Sequence, residues 1–144
     1  MSKKSLPQNA EQIRQIFLKR DFPSGNIAIA EVHLEKGIRF GMGATSRASS
    51  PCQLSIPIPR SQGGQFEPSI DPYSGRVMDT DAEYKVLSAI AQVLETHYNW
   101  DIQGQLYLYT ERQPCQSCRD IIRQFREKFP NIEVDVDWSY PYPP

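Results

Sequence analysis

The stretch that decides the reading is YTERQPCQSC, residues 109–118, followed by RDIIRQFREKFPN over residues 119–131. Gln105–Thr110 has the apolar and β-prone character of a short strand, and Pro114 closes it. From Cys115 the pattern changes to helical spacing, with Ile121, Ile122, Phe125 and Phe129 on one face and Arg119, Arg123 and Arg126 on another. Pro130-Asn131 ends the helix. Ile132–Trp138 then alternates apolar and acidic residues as a final strand. Two thiols, Cys115 and Cys118, thus stand one helical turn apart at a strand-to-helix junction, where free backbone N–H groups favour the thiolate form.

Upstream, Thr80–His97 carries Val86, Leu87, Ile90, Ala91, Val93 and Leu94 around most of its circumference, which predicts a buried helix. Before it, residues 46–79 hold five prolines and three glycines, so regular structure there is expected to be brief. A functional loop and a tolerated surface insertion fit this stretch equally. Asn26–Leu34 and Gly37–Ala44 read as a hairpin around Glu35-Lys36-Gly37. Residues 9–20 read as a helix capped by Asn9, with Gln12 three residues on and an apolar stripe of Ile13, Ile16 and Phe17. The order hairpin, helix, strand, helix, strand predicts an α/β fold, a three-layer sandwich of a mixed β-sheet with helices packed on it. The division expected is an N-terminal helical segment, 1–25, of the same domain as 26–144, with the tail from Tyr140 extended and unpaired.

Composition narrows the function classes. The 144 residues fit one domain, and 39% hydrophobic residues suffice for a real core. Sixteen Lys and Arg against seventeen Asp and Glu leave a net charge of −1, which removes the simplest electrostatic case for nucleic acid but not nucleic acid as a substrate. No apolar run is long enough to span a bilayer, and no secretory signal is apparent. Three cysteines are too few for a disulfide scaffold, and Cys52 reads as a plain thiol. The pair Cys115 and Cys118 therefore reads as a metal site or a redox pair. His33 and His97 stand alone, so three protein ligands with one open position suit a metal better than a closed structural site. The third ligand is sought at the start of the other helix, in Asp79-Thr80-Asp81-Ala82-Glu83, although acids there also serve simply to complement the helix dipole.

Asp81-Ala82-Glu83 at one helix start, then a strand, then Pro114-Cys115-Gln116-Ser117-Cys118 at the next, resembles the cytidine deaminase-like superfamily. Within it, the chain is most similar to deaminases found as toxin domains of bacterial polymorphic toxin systems. The resemblance spans roughly residues 26–138, with its specific motifs in two short blocks, Asp81–Lys85 and Tyr109–Cys118. It implies a cytidine deaminase-like fold, a Zn²⁺ held by Asp81, Cys115 and Cys118, and Glu83 as the proton carrier. The backbone N–H of Ala82 would lie near the base carbonyl. Asp81 stands where most of the superfamily has His; carboxylate is an accepted zinc ligand, and its charge is expected to weaken the metal's polarisation of water.

The activity implied is hydrolytic conversion of cytosine to uracil in nucleic acid, DNA before RNA, by a bacterial toxin domain. Such a domain would act in the cytoplasm of its target cell, delivered as part of a larger secreted protein and blocked by an immunity protein. No membrane and no oligomer are required. The alternatives are a free nucleoside or nucleotide deaminase and a non-catalytic zinc-stabilised interaction module. Among aromatic residues able to stack a base, including Tyr98, Trp100, Trp138, Tyr140 and Tyr142, Tyr73 in the long loop is the first candidate. The Arg119, Arg123 and Arg126 face reads more plainly as solvated than as a phosphate site.

Overall fold

In a computed structural model of the chain, residues 6–18, 26–45, 64–68, 82–114 and 116–140 are described. They form α1 (Leu6–Ile13), continued by a π-helical turn over Arg14–Leu18, then β1 (Ile27–Leu34), β2 (Arg39–Thr45), α2 (Ala82–His97), β3 (Gly104–Arg112), α3 (Gln116–Lys128) and β4 (Ile132–Tyr140). The sheet order is β2-β1-β3-β4. β1 pairs antiparallel with both β2 and β3, whereas β3 and β4 run parallel with α3 as the crossover. The sheet is therefore mixed, as the sequence predicts.

Alternation along the strands builds two cores on opposite faces. Ala28, Ala30, Val32 and Leu34 of β1, with Leu106 and Leu108 of β3 and Val134 of β4, meet α2 and α3 in the larger core. Ile27, Ile29 and Tyr109 point the other way, against Leu6 and Ala10 of α1. One helix below and two above make the three layers. The hairpin turns through Lys36 and Gly37, both at positive φ, and closes with the Leu34 N–H donating to the Ile38 carbonyl at 2.8 Å. At Gly104 a Cβ would stand 2.6 Å from the His33 carbonyl, so β3 can begin this close to β1 only without a side chain.

Two boundaries differ from the sequence reading. The first helix begins at Leu6 rather than Asn9, because Pro7 sits in the first turn, where its missing N–H is no loss. Its buried face is Leu6, Ala10 and Arg14, while Ile16 is 63% exposed. The tail is not unpaired from Tyr140 onward: Tyr140 lies opposite Arg112, and its carbonyl accepts from the Gln113 N–H at 2.8 Å. Residues 141–144 lie outside the described residues, as does 46–79 apart from 64–68.

The described part of that long stretch is anchored inside the molecule. Phe66 is fully buried among Tyr84, Phe125 and their neighbours, and burial of such a ring contributes roughly 1.5–3 kcal/mol. The Gln124 side chain clamps the next residue, accepting from the Glu67 N–H and donating to its carbonyl, both at 2.9 Å. Lys128 donates to Glu95 Oε2 at 3.0 Å and to Gln65, tying α3, α2 and this segment together. The Lys128 bond, followed by that of Gln65, holds the Glu95 carboxyl below its ordinary range.

Under the sheet lies a buried ion pair. Arg14, 1% exposed, donates through Nε to Glu111 Oε2 at 2.8 Å and through Nη2 to Oε1 at 2.6 Å. Glu111 Oε1 also accepts from the Ile27 N–H at 3.0 Å. Removing one partner of such a pair strands the other charge in a poorly solvated place. Arg14→Met is expected to cost about 3–5 kcal/mol in urea unfolding. The double variant Arg14→Met with Glu111→Gln, which keeps an acceptor for Ile27, is expected to regain most of that. Equal losses in the single and double variants would show that the charges are not what couples these residues.

Candidate active site

The C-terminal end of β3, the start of β1 and the N-termini of α2 and α3 converge at one carboxylate. Glu83 is the second residue of α2 and is 2% exposed. A carboxylate is electrostatically favoured there by the helix dipole, which helps offset its desolvation. Its Oε1 accepts from Thr110 Oγ1 at 2.7 Å and from Asn26 Nδ2 at 3.1 Å. Asn26 Nδ2 also donates to Thr110 Oγ1 at 2.9 Å, so the three side chains fix one another. On the other oxygen, the Cys118 thiol donates to Oε2 at 3.2 Å.

The strand period explains this meeting. Thr110 shares the face of Leu106 and Leu108, and Asn26 falls in step with Ala28 and Ala30. Because β1 runs antiparallel to β3, with Ala28 opposite Thr110, the start of β1 lies beside the end of β3. The next residue, Glu111, necessarily faces the other way, where it meets Arg14. Adjacent residues of one strand thus serve two separate polar centres.

Of the residues singled out in the sequence, Glu83 and Cys118 are brought together, and Ala82, fully buried, opens α2 beside them. The first N–H groups of a helix have no partner within it, so the Ala82 amide suits a ligand carbonyl. Asp81, Cys115, Tyr73 and Cys52 lie outside the described residues. Among the described residues, no group of three or more His, Cys, Asp and Glu side chains is placed to hold a metal. Cys118 is buried. Carboxylate oxygen and cysteine sulfur are both accepted zinc donors, so the donor types of Asp81, Cys115 and Cys118 are chemically compatible with zinc.

The two histidines take no part. His33 Nε2 lies 2.6 Å from Glu31 Oε1, with the ring edge-on to Tyr107, and His97 ends α2 in an exposed position. Arg123 is paired with Asp120 and Glu127 at the surface, and Arg126 donates to the Val134 carbonyl at 3.1 Å, so both are used within the fold. Sequence reasoning missed Asn26 and Thr110. Asn26 belongs to no motif, Thr110 was given no role within the 109–118 block, and only the strand register makes them neighbours of Glu83. The sole available signal was their parity with the core residues of β1 and β3.

A family model described as "Toxin-deaminase: The BURPS668_1122 family of deaminases" matches residues 65–140, more than half the chain and the whole of α2, β3, α3 and β4. No curated protein matches the chain.

Thr110→Val keeps the shape of the side chain but removes a donor from a buried carboxylate. It is expected to lower unfolding stability by about 1–3 kcal/mol, whereas Thr110→Ser should retain most of it. Urea unfolding of the two variants measures the difference; equal stabilities would show that the hydroxyl does not hold Glu83.

Proposed function

The chain belongs to the BURPS668_1122 family of toxin deaminases, and from that premise we propose that it converts cytosine to uracil in nucleic acid by zinc-dependent hydrolysis. The observation that carries this reading is the buried Glu83 carboxylate, held at the meeting of two helix N-termini with the Cys118 sulfur against it. Asp81, Cys115 and Cys118 would hold the zinc. Zinc, when bound, supplies Lewis-acid activation of a water nucleophile at neutral pH.

The rest falls to the chain's own groups. Thr110 and Asn26 both donate to Oε1 of Glu83 and fix the plane of the carboxylate. Proton traffic therefore falls to Oε2, on the Cys118 side. There Glu83 takes a proton from the attacking water and delivers it to N3 of cytosine, then takes the remaining proton from the hydroxyl added at C4 and passes it to the departing amino group. Cytosine and water become uracil and ammonia, and Glu83 ends as it began. The Ala82 N–H, at the start of α2, orients the base through its carbonyl. Burial of the carboxylate keeps bulk water from competing for these protons.

As a toxin domain, the chain is expected to enter a target cell as part of a larger secreted protein and to be restrained by an immunity protein. DNA is the favoured substrate over RNA. Among the described residues no helix is long and apolar enough to cross a membrane.

The test is nucleoside mass spectrometry on single-stranded DNA, duplex DNA, RNA and free cytidine incubated with the protein. Uracil is expected in a polynucleotide pool, with Glu83→Gln slower by about 100- to 10,000-fold and unchanged in zinc content. Asp81→Ala, Cys115→Ser and Cys118→Ser are each expected to lose zinc by elemental analysis. Uracil or uridine only in the free cytidine pool would assign a nucleoside substrate instead. Zinc bound with no base changed in any pool would leave a zinc-stabilised module.

A further inference from the structure

Two aromatic side chains near the end of β4 are exposed. Trp138 is 42% and Tyr140 47% exposed. The parallel register sets Trp138 opposite Thr110 and Tyr140 opposite Arg112. Neighbouring strands are roughly 4.8 Å apart, so Trp138 is one strand away from a residue that holds Glu83.

The face of Trp138 is fixed by the residues around it. Val134 and Val136 pack into the core beneath α2 and α3. Ser139 bonds instead to the Tyr109 hydroxyl, which belongs to the cluster against α1. Alternation then places Trp138 on the Glu83 side, and Glu133, Asp135 and Asp137 on the far side. The regular pattern stops there, because the Tyr140 carbonyl turns inward to the Gln113 N–H, where Asn131 does so at the start of the strand. Height along the sheet agrees. Arg126 of α3 reaches the Val134 carbonyl. Eight residues back along the helix and four forward along the strand both cover roughly 12–13 Å, which brings Cys118 level with Trp138.

We propose that Trp138 is a stacking surface for a base that flanks the one presented to Glu83, so that the substrate is a single-stranded polynucleotide rather than a free nucleoside. The proposal rests on the deaminase reading above and names its substrate class. The pleat keeps the three acids of β4 away from that face, which a polyanion requires. A net charge of −1 leaves little basic excess to supply affinity, so aromatic stacking must carry much of it. An added β-strand is a poor occupant: Asp137 Oδ1 already accepts from the Trp138 N–H at 2.9 Å, and Arg126 already occupies the Val134 carbonyl.

The molecule supplies its own control. Trp100, 66% exposed, follows the far end of α2, and that helix of 16 residues is about 24 Å long. The experiment is fluorescence anisotropy with labelled single-stranded 12-nucleotide DNA and RNA carrying one cytosine, on protein bearing Glu83→Gln to prevent turnover. Trp138→Ala is expected to weaken binding roughly 5- to 100-fold. Trp138→Phe should recover most of its share, and Trp100→Ala should change nothing. Cytidine monophosphate, which has no flanking base, should bind Trp138→Ala and the parent equally. No binding to either oligonucleotide, no loss with Trp138→Ala, an equal loss with Trp100→Ala, or an equal loss for the monophosphate would each overturn the proposal. Uracil formation by protein with Glu83 intact separates the two claims. Binding that depends on Trp138 without conversion of any base keeps the platform and removes the cytosine reaction. Conversion of the oligonucleotide at the same rate in the parent and in Trp138→Ala keeps the reaction and removes the platform.

Discussion

The two-residue period of β3 is the constraint on which the rest of this structure depends. Leu106, Leu108 and Thr110 face α2 and α3, and Tyr107, Tyr109 and Glu111 face α1. A slip of one residue would exchange the two sets, removing Thr110 from Glu83 and Glu111 from Arg14 together. β3 is also held from both sides, antiparallel by β1 and parallel by β4. Its register is thus specified by two cores and two polar centres at once. Burial on both faces leaves little freedom to slide.

Parallel pairing of β3 and β4 has a further consequence. It demands a crossover, and α3 provides it, starting where β3 ends. Positive helix ends therefore gather at the C-terminal edge of the sheet, the usual place for a site in an α/β fold. Glu83 lies at one such end and Cys118 at another. The catalytic chemistry proposed for this family member grows from that geometry rather than from a loop.

The two buried acids show different solutions to one problem. Glu111 is matched by a full charge, in a bidentate contact with Arg14. Glu83 accepts from Thr110 and Asn26 on one oxygen and from the Cys118 thiol on the other. The first contact ties the turn after α1 to β3, and the second ties the starts of β1, α2 and α3 to the end of β3. Tyr109 lies on the Glu111 face, where burial pushes its phenol up and the Ser139 bond works the other way.

Much was determined by the sequence alone, because it depends on local period and local chemistry. The buried helix 82–97, the strand after it, the helix after Pro114 and the alternating final strand follow from apolar spacing. A site shared by Glu83 and Cys118 is what the family resemblance of their two motifs implies, and the family match covers that same stretch. Other features were decided only by tertiary structure. Asn26 and Thr110 are 84 residues apart and meet through strand register. Arg14 reads as a surface residue of an amphipathic helix until Glu111, 97 residues on, makes its burial tolerable. Phe66 lies in a stretch of prolines and glycines with no periodicity to mark it as core. Trp138 becomes a neighbour of the site only once β4 lies beside β3. Local spacing determines which face a residue takes within its own element. Which residues share that face is decided by the pairing of distant strands, and no local pattern encodes it.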